Sequence, residues 1–202
     1  MGRKRQNKPL KEIIGIYCEG TSEVEYFKML RRKYRGSNVQ AHQVGLKIES
    51  MDSMKGTKLI TEIVDKTRPL KKKRQVNAVF AVFDRDDLTH TDIQRAQKLA
   101  RANEIEIIFS STNFEAWILL HFIYFSKAYT KLELNRKLSA PGRFNQDYAR
   151  FKGAEYDKFL VDRVSTAISN ARRLAITQTN LVTDDPFVNI QEHIKRIFGR
   201  ED

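Results

Sequence analysis

The run VNAVFAVF (76–83) is β-branched, aromatic and apolar on both faces. A segment so short and so uniformly apolar is satisfied as a strand covered from both sides. EIIGIYC (12–18) and EIEIIFSS (104–111) read the same way, and NVQAHQVGLKI (38–48) is a weaker candidate. Helix-length segments separate them. EGTSEVEYFKMLRRKYRG (19–36) is an acidic, Gly-containing turn and then a helix, with Val24, Phe27 and Leu30 at helical spacing and Gly36 as a stop. Ser22 and Glu25 have capping-box spacing at its start. KLITEIVDKTR (58–68) is a helix ended by Pro69 and followed by an exposed basic link, LKKKRQ (70–75). TDIQRAQKLARAN (91–103) is a helix capped by Thr91 or Asp92. The order βαβαβαβ predicts an α/β fold: about four mainly parallel strands with helices on both faces.

Beyond residue 112 the pattern turns helical. NFEAWILLHFIYFS (113–126) is apolar over most of its circumference and predicts a buried helix. YTKLELNRKL (129–138) is a short helix and SAPGRFNQDYARFKG (139–153) a loop. YDKFLVDRVSTAISNARRLAITQ (156–178) is a long amphipathic helix with Leu160, Val164, Ala167, Ala171 and Leu174 as its apolar stripe. FVNIQEHIKRIFG (187–199) is the last helix, behind Pro186. These apolar C-terminal helices also allow a homodimer.

The central strand ends in FDRDD, so Asp84, Asp86 and Asp87 crowd into four positions. The chain as a whole is basic: 37 Lys and Arg against 25 Asp and Glu give a formal charge of +12 over 202 residues. Such an excess suits a polyanionic partner, of which nucleic acid is the commonest. In a parallel sheet, ligands bind beyond the C-terminal strand ends, where the strand order reverses. Glu19 follows the first strand and Asp84 and Asp86 the third; if those strands are neighbours, the carboxylates converge, with Glu23 one helical turn beyond Glu19. Converging carboxylates repel one another, and a divalent cation relieves the repulsion. All-oxygen ligands suit Mg²⁺ or Mn²⁺. Against this, acids after a strand also serve as caps or stay hydrated.

One cysteine, Cys18, excludes an internal disulfide or a Cys-rich zinc site and is expected to be a buried packing residue in a reducing cytoplasm. The basic start, MGRKRQNKPLKE, lacks a signal-peptide core. The longest apolar stretch, AWILLHFIYF, is about half of the ~20 residues a membrane helix needs, so no membrane partner is expected.

CEGTSEVEYF, VFDRDD, SSTNFEAWILLHF, YTK, YDK and PFVNIQEHI occur in this order. Together they resemble the RloB-like family, related to the AbiLii abortive-infection proteins, over about residues 11–198. The resemblance implies a Toprim-like, Rossmannoid fold, in which a Glu after strand one and an Asp-x-Asp after strand three gather Mg²⁺. The matching positions are Glu19 and Asp84/Asp86. Glu23 matches a second acid after the first turn, with Glu25 as its substitute, and Asp87 and Glu115 are second-tier ligands or neighbours of the site. Residues 1–11 are then a basic tail, 12–126 the Toprim-like core and 127–202 a helical region packed on it. The implied activity is metal-dependent cleavage of DNA or RNA, tRNA included, in anti-phage defence, beside an ATPase or restriction-system partner encoded nearby.

Other residues carry less. Glu115 either projects over the same sheet end or only steadies the first turn of its helix. His121 and Trp117 are expected in the core, His121 with hydrogen bonds. Lys127, Lys131 and Lys152 are phosphate-binding candidates that nothing local separates. Two other functions stay open: a non-catalytic nucleic-acid- or partner-binding component of a defence system, and a phosphohydrolase of the haloacid-dehalogenase type. The latter places its Asp-x-Asp after the first strand, not the third.

Overall fold

A computed structural model describes residues 13–44, 55–73 and 75–200. The predicted basic tail, Glu12 of the first strand, residues 45–48 of the second and Arg74 of the basic link lie outside the described residues. The order is β1 (Ile14–Cys18), α1 (Thr21–Tyr34), β2 (Val39–Gln43), α2 (Lys55–Lys72), β3 (Ala78–Asp84), α3 (His90–Ala102), β4 (Ile105–Ser111) and α4 (Phe114–Leu120). There follow α5 (Lys131–Ser139), α6 (Tyr148–Phe151), α7 (Asp157–Leu160), a 3₁₀ turn (Val161–Arg163), α8 (Val164–Leu174), β5 (Phe187–Val188) and α9 (Ile190–Phe198).

The strands form one sheet in the order β2-β1-β3-β4-β5, parallel except for β5. Alternate residues of the buried strands feed two cores. Ile14, Ile16, Phe80, Val82 and Ile108 pack beneath α1, α4, α8 and α9, and Tyr17, Val79, Ala81, Phe83 and Phe109 beneath α2 and α3. Cys18 is buried, as its apolar run required. No helix among the described residues is long and apolar enough to cross a membrane.

Several boundaries differ from the sequence reading. A fifth strand is present: Phe187 and Val188 pair antiparallel with Ser111 and Ser110 instead of starting the last helix. Asn189 extends that pairing, its side chain accepting from Phe109 N (2.7 Å) and donating to Ile107 O (2.9 Å). Helix α4 stops at Leu120 instead of running to residue 126. The side chains of His121 and Asn170 take up the carbonyls of Trp117 (3.1 Å) and Leu120 (2.7 Å), which a continuing helix would have used. The long helix over 156–178 is broken by the 3₁₀ turn, though its apolar stripe is buried throughout. Within the segment read as a loop, Asp147 caps the short helix α6, accepting from Ala149 N at 3.0 Å. Pro69 lies inside α2 rather than ending it, because the amide it lacks falls on an exposed turn and Lys73 N still reaches Pro69 O at 3.2 Å. Thr89 caps α3 and Asp92 completes the box as its third residue. Helix α1 starts after Gly20 with no side-chain cap, and Glu25 instead pairs with Lys28 at 2.7 Å.

Candidate active site

Strand order places β1 beside β3, with the chain going to β2 on one side and to β4 on the other. The crevice between β1 and β3 is therefore the switch point of the sheet. Cys18 faces Val82 in register, and Glu19 N continues the ladder to Val82 O at 3.0 Å. Glu19 and Asp84 thus leave adjacent strands at the same end of the sheet.

Asp84 accepts a hydrogen bond from Phe114 N, in the first turn of α4, at 3.2 Å. Its carboxyl is held well above the usual carboxylate range, first by burial and then by the fields of Glu23, Glu19, Asp86 and Glu115. Glu23 is 5% exposed, and burial, followed by Glu115 and Glu19, pushes it up to about 7. Glu115 is raised chiefly by burial, while Lys152, a backbone N–H and Lys131 pull it down. Five carboxylates from two strand ends and two helices therefore act on one another. Asp87 is exposed, whereas Glu23 and Glu115 are buried and Glu19, Asp84 and Asp86 are partly so.

The local backbone makes the crowding feasible. A Cβ on Gly20 would meet Glu23 Oε2 at 2.6 Å, so the glycine lets Glu23 fold back over the turn. Asp86 has φ 36°, and its N–H donates to Thr112 O at 3.1 Å, which ties the acidic turn to the end of β4. Arg85 points the other way: its Nη2 donates to the carbonyls of Leu181 (3.2 Å), Val182 (3.0 Å) and Asp184 (3.0 Å). The arginine of FDRDD is a strut for the segment before β5.

Two lysines face the acids. Lys131, in the first turn of α5, forms an ion pair with Asp86, which raises the lysine. Lys152 lowers both Glu23 and Glu115. It precedes Gly153 (φ 86°), where a Cβ would meet Thr21 Oγ1 at 2.7 Å, so this turn packs tightly on the start of α1. Nothing local in the sequence separates these lysines from Lys127: Lys131 opens α5 and Lys152 directly follows α6. Tyr156 is also explained: its hydroxyl meets that of Tyr148 at 3.1 Å, and both rings are buried near Glu115. Its neighbour Asp157 pairs with Arg32 (2.9 Å to Nε). Sequence reading gave no role to Asn113, fully buried at the start of α4 with neither side-chain amide atom hydrogen-bonded among the described residues. His121 and Trp117 are core residues; His121 bonds Tyr26 Oη and Trp117 O, both at 3.1 Å, and burial pushes it down to about 3.

The donor set, carboxylate oxygens only, fits a hard divalent cation. Burial first and the neighbouring acids second raise Asp84 and Glu23, and such an ion would relieve the repulsion among them. Among the described residues, however, no three His, Cys, Asp or Glu side chains stand together in an arrangement that holds a metal. Asp86 is engaged by Lys131 instead.

Against models of protein families, residues 14–197 match the one described as RloB-like protein. No curated protein and no solved structure matches the chain.

Proposed function

The chain belongs to the RloB-like family, and from that premise we propose that it is a Toprim-type, metal-dependent nuclease that cleaves nucleic-acid phosphodiester bonds in anti-phage defence. The observation that carries the reading is that Asp84 feels the charges of Glu19, Glu23 and Glu115 at the β1–β3 switch point of a basic protein. Glu19, Asp84 and Asp86 would hold Mg²⁺ or Mn²⁺, with Glu23, Asp87 and Glu115 in support. The bound ion would stabilise charge on the phosphate and ease ionisation of a water. The chain's own groups do the rest. Phe114 N–H steadies Asp84, and Arg85 anchors the turn from behind. Lys131 and Lys152 bind the phosphate's non-bridging oxygens, Lys131 by exchanging Asp86 for the substrate. The basic surface holds the rest of the polyanion. The single buried cysteine suits a cytoplasmic setting, with an ATPase or restriction-system protein as partner.

A second reading, a binding component without turnover, draws on the lack of a ready-made three-ligand arrangement among the described residues. One experiment separates them. Purified protein is incubated with Mg²⁺ or Mn²⁺ and with single- and double-stranded DNA and RNA, alone and with the proteins encoded beside it. The nuclease reading expects cleavage that EDTA abolishes and that falls at least ~10²-fold in Asp84→Ala and Glu19→Ala. Folded wild-type protein that cuts nothing under any of these conditions, or an Asp84→Ala variant as active as wild type, overturns it.

A further inference from the structure

The segment between α4 and α5 carries an unusual set of ring–cation contacts. The Arg173 guanidinium lies 3.9 Å from the centre of the Tyr124 ring. Lys137 lies 4.3 Å and Lys127 5.5 Å from that of Tyr129. Both rings are only partly buried, and Arg173 and Lys127 are exposed. The segment is held at both ends. Asn170 donates to Leu120 O at 2.7 Å, and Thr112 Oγ1 donates to Tyr129 O at 2.9 Å. Two residues past Tyr129, Lys131 reaches Asp86 of the acidic turn. From Tyr124 to Lys131 the chain spans at most ~25 Å.

We propose that this segment is a platform for unpaired nucleic acid, which leads a single strand to the carboxylates. An aromatic face paired with a cation matches a base and its phosphate: the base stacks on the ring and the cation turns to the phosphate. A duplex hides its base faces and would use only the cations, so the rings select single-stranded substrate. The alternative, that the cations merely cover tyrosines at the surface, leaves unexplained why Tyr129 lies two residues before the lysine that pairs with the acidic turn. The proposal deepens the nuclease reading by naming its substrate class, and it rests on that reading only for the strand's destination.

Fluorescence anisotropy in EDTA, where no cleavage occurs, tests it apart from turnover. The probes are an unstructured oligonucleotide of about 12 nucleotides, as RNA and as DNA, and the matching duplex. Wild type is expected to bind the unpaired strand at least tenfold more tightly than the duplex. Tyr124→Leu and Tyr129→Leu should each weaken unpaired-strand binding about tenfold and change duplex binding less than twofold, and the Phe variants should bind like wild type. Lys127→Gln and Lys137→Gln should each lower the salt slope by about one. Preference for RNA or for DNA identifies the source of the strand, and either supports the platform. Equal affinity for strand and duplex overturns it, as do folded Leu variants that bind like wild type or Phe variants that bind like Leu. Should a Leu variant fail to fold, photo-crosslinking of a 4-thiouridine strand to the wild-type protein decides: adducts at Tyr124 or Tyr129 support the platform, and adducts confined to other residues refute it. Binding without cleavage in Mg²⁺ leaves the platform standing and sinks only the nuclease reading.

Discussion

Replacing Glu23 by Gln removes one charge from the crowded site at almost constant shape. The ordinary glutamate value is 4.5, and burial with the neighbouring acids pushes Glu23 up to about 7. A folded-state value above the unfolded one means that the folded protein holds its proton longer. The associated stability is intact below pH ~4.5 and is lost as pH rises through ~7. At pH 8 both states are ionised and the full difference, about 3 kcal/mol, opposes folding. At pH 5 less than about 1 kcal/mol does. Metal-free Glu23→Gln should therefore be more stable than wild type by about 3 kcal/mol at pH 8, roughly 6–12 °C in Tm, and the gain should shrink below about 1 kcal/mol at pH 5. Urea unfolding followed by circular dichroism at the two pH values, in EDTA, measures it. Adding Mg²⁺ at pH 8 should stabilise wild type more than the variant. A variant that is equally or less stable at pH 8, with no pH dependence, would show that Glu23 is not held among repelling carboxylates.

Three other outcomes follow from the same contacts. His121 is wholly buried, and its value falls from 6.5 to about 3, so it contributes acid lability: stability drops as pH falls below 6.5, by about 2 kcal/mol at pH 5. His121→Gln should be less stable than wild type at pH 8, through its lost bonds to Tyr26 and Trp117, and that deficit should narrow by about 2 kcal/mol at pH 5 in urea titrations. Arg85→Met should cost about 1–3 kcal/mol and speed amide exchange across 179–186, because three carbonyls lose their charged donor. Lys131→Met frees Asp86, so Mn²⁺ should bind more tightly by calorimetry even as cleavage falls, whereas unchanged affinity would mean that the ion pair does not compete for the metal.

How far the sequence carried depends on where each contact originates. The strands were legible because Val79, Phe80, Ala81 and Val82 are apolar on both faces, which demands two covering layers. That Glu19 and Asp84 follow neighbouring strands was legible up to one condition, that β1 and β3 be adjacent, and the topology meets it. The end of α4 was not, because Asn170 closes it from 50 residues away. Nor was the edge strand β5: two residues carry no periodicity, and Asn189 secures them through a side chain. Lys131 and Lys152 had no local mark to distinguish them from Lys127; their positions follow from the fit of Gly153 on Thr21 and from the pairing with Asp86. Cys18 and Trp117 were correctly expected in the core, since their apolar surroundings in sequence become apolar surroundings in space.

The central claim is that the acids at the β1–β3 switch point hold a divalent cation. Anomalous diffraction from a crystal soaked in Mn²⁺ tests it most directly. The expected result is a peak between Glu19 and Asp84, with Asp86 turned toward it from Lys131, and no peak in an Asp84→Ala crystal. Saturating Mn²⁺ that leaves this crevice without density, while the wild-type fold is intact, would contradict it.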